Sequence, residues 1–408
     1  MRKIEFIYMI ICRLLAVLLP KKECVLFCSF FGKYSDNPKY VSLELEKLYP
    51  NIKQIWVVND ITNSQVPSKL GRVLFGSFKY YYLLFNSRVV VDNSSGLRTF
   101  VSCTPRTPQY YLCKWLSRKT DSQYNIATWH GTPLKKIGLD APDYDSSKPF
   151  ITNADYSIAG CDYTYDIMKS SFRNSFKVYK TGTPRNDILC GDKIDKLEMK
   201  EKLGLPIEKK IILFAPTFRK NPDLSGFQQL NGFDYKKLLA VLSNKFGGEW
   251  CFVFRVHSCV ENLVNDHGII DNNQDVDIRN GNEGDDMAEY LYCSDILLTD
   301  YSSSMFDYLL TKKPCLLYTP DIKEYLSNDR GVYMSFDSLP FPQASCLKDL
   351  YAVITNFDLK DYDAKTIAFQ QRLGNFEDGL ASKRISDDIF SFIHTKKKFH
   401  IERGLDEL

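Results

Sequence analysis

Two histidines, three arginines and a run of hydroxyls stand where apolar runs of the chain end. They are His130 in "WHGTP" (129–133), Arg185 in "TGTPRND" (181–187), Arg219 in "APTFR" (215–219), Arg255 and His257 in "FRVHS" (254–258), and Ser302, Ser303 and Asp307 in "TDYSSSMFD" (299–307). An imidazole titrates near neutrality and so suits proton transfer. Arginine forks and the open N–H groups at a helix start suit phosphate oxygens. Together these residue types point to an anionic, phosphate-bearing ligand. Taken singly, each histidine reads equally well as a hydrogen-bonded structural residue. In the serine run, Ser302–Ser304 offer caps to a helix that turns Met305, Phe306 and Leu309 to the sheet, and Ser303 and Asp307, four apart, share a face. The plain alternative is that the serines only cap and Asp307 only complements the helix dipole. No second His or Cys stands at metal-ligand spacing from either histidine, and His257 neighbours Arg255, not a carboxylate. The chain has no G-x-S-x-G elbow, no G-x-x-x-x-G-K-[ST] loop and no G-x-G-x-x-G loop, which disfavours hydrolase, P-loop kinase and dehydrogenase readings.

The elements that must position these residues alternate between apolar runs and helical patterns. Residues 24–30, 53–58, 88–92, 124–129, 155–160 and 176–182 read as buried strands, and 210–216, 250–257, 295–300 and 314–320 form a second series. Around 190–206 the chain turns charged and ends in "LGLP", a boundary. The pattern predicts an α/β protein of two parallel-sheet halves: a first domain over 21–190, a second over 206–385, and a C-terminal helix or tail over 386–408. In such sheets ligands gather at the carboxyl ends of strands, where every motif above falls. Folding the halves face to face would bring His130 and His257 to opposite walls of one cleft.

The 408 residues are 44% apolar and 25% charged, the composition of a folded chain of about two domains. A net charge of +3 without an Arg/Lys tract argues against a nucleic-acid partner. Cys24, Cys28, Cys251, Cys293 and Cys315 lie in or beside apolar runs and read as reduced core thiols of a cytoplasmic protein. Residues 1–20, "MRKIEFIYMIICRLLAVLLP", suggest a membrane-directed element. A helix from Ile4 to Leu19 rises about 24 Å against a hydrocarbon core of about 30 Å and carries Glu5 and Arg13. The predicted arrangement is therefore a helix lying in the interface, with Lys21 and Lys22 near anionic head groups. The alternative is a helix packed on the protein's own body.

The stretches "TWHGTPLKKIG", "TGTPRNDIL", "ILFAPTFR", "FRVHS" and "DILLTDYSSSMFDYLLTKKPCLLYTPDIKEYLSNDRGVY", with "GKYSDNPKYV" near the N-terminus, closely resemble the CDP-glycerol glycerophosphotransferase family, the teichoic-acid glycerol-phosphate and ribitol-phosphate transferases. The resemblance runs from about Gly32 to Tyr333. It implies a GT-B-like pair of Rossmann-like domains with parallel sheets facing a central cleft, a CDP-alditol donor, a lipid-linked saccharide or polymer acceptor, and a peripheral position on the cytoplasmic face of the cell membrane. Carried over, the donor site falls on His130, Gly131, Thr132, Pro133 and Leu134, on Arg185, on Pro216 and Thr217, on Arg255 and His257, and on Ser302, Ser303 and Asp307. Phe218 stands where the family commonly has Trp, and Ser258 where Pro is usual.

The mechanism so implied is direct phosphoryl transfer. An acceptor hydroxyl attacks the alditol phosphate, His130 takes the proton, and CMP leaves while His257 and Arg255 stabilise its phosphate, helped by Arg185 and the Ser302/Ser303 helix start. No cofactor is required by the sequence, and a divalent metal is compatible with such chemistry although no dedicated carboxylate cluster is present. The competing readings are a sugar-nucleotide glycosyltransferase or 2-epimerase on the same architecture, and a catalytically silent membrane scaffold.

Overall fold

The structure is a computed structural model that describes residues 3–93, 106–142, 144–145, 151–191, 194–217, 230, 232–256, 275–282, 286–328 and 331–398. Its contacts divide the chain into two compact units. Unit one is Met1–His130, Ile137–Asp187 and Asn375–Leu408; unit two is Gly131–Lys136 and Ile188–Gly374.

Unit one is built on seven strands: β1 (Lys22–Cys28), β2 (Gln54–Val58), β3 (Gly71–Leu74), β4 (Ser87–Asp92), β5 (Tyr124–Ala127), β6 (Tyr156–Ile158) and β7 (Lys177–Tyr179). They lie in the order β3-β2-β1-β4-β5-β6-β7, all neighbours parallel. One row across the sheet runs Trp56, Phe27, Val91, Ile126, Tyr156. Because strand side chains alternate between faces, β1 sends Val25 and Phe27 to one side and Cys24, Leu26 and Cys28 to the other. The Phe27 side is covered by the C-terminal helix Ala381–Thr395 through Ile385, Ile389 and Phe392, spaced to share one helical face. On that side the Trp56 indole N–H donates to Ser42 Oγ at 3.0 Å within helix α2 (Asp36–Leu48), so a buried donor is satisfied.

The opposite face is covered by α1 (Lys3–Leu18) and α3 (Phe78–Asn86). Met9, Cys12 and Arg13 of α1 are buried, and Arg13 Nη2 donates to the carbonyl of Arg118 at 2.9 Å. Ile4, Ile7, Ile11, Leu14 and Leu18 form an exposed stripe on its other side. The N-terminal helix is thus part of the folded unit on one face and an apolar surface on the other. Lys21, expected near lipid head groups, donates to the carbonyl of Phe85 at 2.7 Å. Among the described residues no helix is long and apolar enough to cross a membrane.

Unit two carries β8 (Lys210–Ala215), β9 (Trp250–Phe254), β10 (Ile278–Asn280), β11 (Ile296–Thr299), β12 (Cys315–Tyr318) and β13 (Gln343–Ala344), in the order β10-β9-β8-β11-β12-β13, again parallel throughout. Phe214 at its centre is paired with Leu298 on one side and Phe254 on the other. The described cysteines are free thiols, all buried but Cys190 and Cys346.

Every run read as a strand contains one, but β3, β10 and β13 were not anticipated. All three are sheet edges, where a strand is short and half-exposed and lacks a continuous apolar run. The domain limits also differ from the expected 21–190, 206–385 and 386–408. The chain re-enters unit one at Asn375, because helix Ala381–Thr395 is the lid of the first sheet. Residues 131–136 belong to unit two, where Lys135 bridges Val332 and the Tyr333 N–H donates to the Leu134 carbonyl at 2.9 Å. Phe392 is fully buried against Tyr124, ring centroids 4.9 Å apart. Phe392→Ala is expected to destabilise unit one by about 3–5 kcal/mol, seen as a lower urea midpoint; a change under about 1 kcal/mol would mean the helix is a dispensable appendage.

Candidate functional site

In unit one the candidate residues collect past the carboxyl ends of β1, β4, β5 and β7. After β5 the chain runs through Thr128 and Trp129 to His130. Trp129 has φ 53°, the left-handed region that a bulky side chain rarely adopts, at a cost of about 1–3 kcal/mol. What holds it there is Asn37, the second residue of α2 and fully buried. Its Nδ2 donates to the carbonyls of Thr128 at 3.0 Å and Trp129 at 2.9 Å, and its Oδ1 accepts the Arg185 N–H at 3.0 Å. Beside it, buried Asp36 accepts from Arg185 Nη1 at 2.7 Å. One Asp-Asn pair therefore ties the loop after β5 to the loop after β7.

His130 stacks on Trp129 with centroids 4.4 Å apart and lies 6.0 Å from the Phe30 ring. The residue as a whole is exposed, yet these surroundings desolvate the imidazole. Its pKa falls below 6.5, first through desolvation and then through the Arg185 charge, against an upward pull from Asp36. A neutral imidazole at an accessible position, on a backbone fixed from below, can accept a proton at neutral pH.

In unit two the residues gather past β8, β9 and β11. Asp300 is fully buried, and its Oδ1 accepts the N–H of Thr217 at 2.8 Å as well as that of Tyr301, joining the ends of β8 and β11. Pro216 precedes that link. Ser302 and Ser303 are half-buried. Ser302 Oγ meets Ser304 Oγ at 2.9 Å and accepts the Ser304 N–H at 3.3 Å, so Ser302 performs the capping expected of the run. The helix it opens is a single turn, Ser304–Tyr308, continued by a 3-10 turn, and Ser303 at its N-cap makes no capping bond. Met305, Phe306, Asp307 and Leu309 are buried. Arg255 donates to the carbonyl of Gly281 and lays its guanidinium over the Tyr290 ring at 5.1 Å.

Of the expected site, the structure brings His130 and Arg185 together in unit one, and Pro216, Thr217, Arg255, Ser302, Ser303 and Asp307 to the carboxyl ends of the second sheet. Gly131, Thr132, Pro133 and Leu134 follow His130 directly but belong to unit two. His257, Phe218, Arg219 and Ser258 lie outside the described residues. Asp36 and Asn37 were missed as site residues; "SDNP" reads as an ordinary helix start, with an N-cap serine, an acidic first turn and an early proline. A cavity of about 760 Å³ along β7, lined by Lys119, Lys169, Lys177 and Lys180 among others, includes none of these residues. It follows the edge strand β7 up to Lys180, next to the 181–187 loop, but holds none of the candidate side chains, and we do not place the site there. Among the described residues no three His, Cys, Asp or Glu side chains group as metal ligands.

The model of the family described as CDP-Glycerol:Poly(glycerophosphate) glycerophosphotransferase matches residues 10–391. The chain belongs to this family. It is 31% identical over 395 residues to a teichoic acid glycerol-phosphate transferase of Staphylococcus aureus, covering 91% of this chain and 94% of that protein. To a teichoic acid poly(glycerol phosphate) polymerase of Staphylococcus epidermidis it is 32% identical over 386 residues; there the match takes in 90% of this chain but spans only 50% of the relative's length. Among solved structures it is similar to the wall teichoic acid polymerase TagF in a crystal soaked with CDPG, with a TM-score of 0.74 at 29% identity over 97% of this chain and 99% of that one. As a member of the glycerophosphotransferase family, the chain is a transferase.

For this glycerophosphotransferase-family chain the Asp300 link can be tested by stability. Asp300→Ala leaves two N–H groups without their acceptor, each costing about 1–3 kcal/mol when buried, so a loss of about 2–6 kcal/mol is expected in chemical denaturation. Asp300→Asn retains an acceptor oxygen and should lose less than half as much. Equal losses would show that charge, and not acceptance of the two N–H groups, is what Asp300 supplies.

Proposed function

We propose that this chain transfers glycerol-phosphate or ribitol-phosphate from a CDP-alditol to a hydroxyl of a lipid-linked saccharide or growing polymer, in the synthesis of teichoic acid or a capsule-like envelope polymer, and releases CMP. The observation that carries the reading is His130: an accessible imidazole with its pKa held down, past a strand end, on a backbone clamped by Asn37. The acceptor oxygen forms a bond to the alditol phosphorus, its proton passes to His130, and the bond from that phosphorus to the CMP oxygen breaks. We assign His257 and Arg255 to the developing charge on the leaving phosphate, with Pro216, Thr217, Ser302, Ser303 and Asp307 shaping the donor site. Arg185 serves at His130, paired with Asp36, rather than as a free phosphate ligand. The architecture is read as GT-B.

A base works in its deprotonated form, so activity should hold above the His130 pKa and fall as pH drops through it. Since that pKa is lowered, the acid limb of kcat/KM is expected below 6.5. Arg185 lowers it and Asp36 raises it, so Arg185→Ala should move the limb up and Asp36→Asn move it down. His130→Ala should cut CMP release from CDP-glycerol or CDP-ribitol by about 10²- to 10⁴-fold without loss of fold. Near-wild-type release by that variant, or turnover of UDP-sugars in place of CDP-alditols, would overturn the reading.

We further propose that the enzyme sits peripherally on the cytoplasmic face of the membrane, with Ile4, Ile7, Ile11, Leu14 and Leu18 of α1 in the lipid interface. Burial of such side chains contributes about 1.5–3 kcal/mol each before ordering costs. Deleting the helix would also strip Met9, Cys12 and Arg13 from the core, so point changes are the cleaner test. Ile7→Glu with Leu14→Glu, both at exposed positions, should release the protein from anionic vesicles with the thermal midpoint unchanged. Full co-sedimentation of that variant would move the membrane contact elsewhere.

A further inference from the structure

The loop that carries Arg185 is held from a segment almost two hundred residues later in the chain. Glu377 Oε2 accepts the Thr183 N–H at 2.9 Å, and Oε1 accepts from Asn186 Nδ2 at 3.2 Å. Next to it the Asp187 carboxylate accepts the N–H groups of Ala381 at 3.0 Å and Ser382 at 2.8 Å, the opening turn of the C-terminal helix, and Arg384 Nη1 donates to the Thr181 carbonyl at 3.0 Å. The chain entering this clasp is fixed as well, with Cys161 bridging Asn375 and the Phe376 N–H donating to the Gly160 carbonyl at 3.2 Å.

The Glu377 carboxylate occupies room that two glycines leave. A Cβ on Gly160 would stand 1.9 Å from Oε1, and one on Gly182, whose φ is +80°, would stand 3.0 Å from Oε2. Gly160 has no left-handed backbone to explain it; a side chain there is excluded first by the Glu377 carboxylate and also by Thr183 Oγ1, which would stand 2.7 Å from its Cβ. From Thr183 the chain has one proline before Arg185, whose N–H meets Asn37 and whose guanidinium meets Asp36. Asn37 in turn holds the carbonyls of Thr128 and Trp129. Hydrogen bonds thus run from Glu377 through the 181–187 loop and Asn37 to the backbone under His130.

We infer that Glu377 is a positioning residue for the transfer reaction: its carboxylate, seated over Gly160 and Gly182, sets the loop that places Arg185 and, through Asn37, His130. The inference rests on the function proposed above. It gives Glu377 no contact with substrate, so its loss should affect turnover far more than donor binding.

The test uses the full chain and follows CMP release from CDP-glycerol with a lipid-linked saccharide acceptor, with thermal unfolding alongside. Glu377→Ala is expected to lower kcat by about 10- to 100-fold, the scale of a misplacement near 1 Å, with KM for CDP-glycerol within about threefold. Glu377→Gln should restore kcat to within about threefold, since its oxygen can still accept the Thr183 N–H and a turned Asn186 carboxamide can accept from its new NH₂. Gly160→Ala, which expels the same carboxylate, should reproduce the Glu377→Ala loss, and the double variant should be no worse than the poorer single one. Should Glu377→Ala fail to fold, Gly160→Ala against Glu377→Gln decides alone. The inference is overturned if Glu377→Ala turns over within threefold of wild type while His130→Ala is inactive, if the Gln variant rescues nothing, or if the two single losses multiply. A His130→Ala variant with normal turnover would overturn the underlying reading, and this inference with it.

Discussion

The carboxamide of Asn37 is the contact on which the first unit's site depends. It supplies two donors to consecutive carbonyls after β5 and one acceptor to the loop after β7. A left-handed Trp129 would relax if those carbonyls were released, and the imidazole that follows would turn with it. A carboxylate at this position could not donate to either carbonyl, and a shorter side chain would not reach them. Asp36, itself at φ 60°, adds the charge that keeps Arg185 folded back toward the same point. Strain in the backbone and complete pairing of a buried amide therefore occur together, as expected where a reactive group must be held in one orientation.

This arrangement also explains the direction in which His130 titrates. A histidine whose nearest strong partner were a carboxylate would be pushed up and would be largely charged near neutrality. Here the carboxylate is shared with Arg185, and the Trp129 and Phe30 rings take part of the imidazole's hydration although the residue remains exposed, so desolvation prevails. Proton acceptance and protection of the neutral form come from the same packing.

Much of this was legible in the sequence because buried parallel strands are written as continuous apolar runs. β1, β4, β8, β9 and β11 could be read directly, and the motifs after them fell at strand ends as expected. What could not be read were the long-range partners. The pattern Ile385, Ile389, Phe392 shows an apolar helical face but not which sheet it covers, and 386–408 therefore read as a C-terminal helix or tail set apart from the first domain. Glu377 reads as one more acidic surface residue until Gly160, far away in the chain, is seen to leave space for it. Asp36 and Asn37 were hidden for a different reason: their residue types are the ordinary ones for a helix start, so local chemistry accounted for them completely. The serine run was read as offering caps to a helix, and the helix is there as a single turn, with Ser302 and not Ser303 accepting its first N–H.

The two units solve the same geometric problem in the same way. In each the strand order reverses at one place, between β1 and β4 in the first sheet and between β8 and β11 in the second, and a gap opens there that two loops must leave without collapsing into it. In unit one the N–H of Phe30, two residues past β1, donates at 3.1 Å to the side chain of Asn93, one residue past β4. In unit two the N–H of Thr217, two residues past β8, donates at 2.8 Å to the side chain of Asp300, one residue past β11. The offsets coincide; the acceptors differ in charge. Asn93 gives a fully buried carboxamide pin, its oxygen accepting the Phe30 N–H. Asp300 gives a fully buried pin whose Oδ1 accepts two N–H groups at once. In each unit one side-chain oxygen just past the second strand accepts the N–H two residues past the first, so the loops on either side of the reversal are tied at the same offsets although the residues that tie them differ.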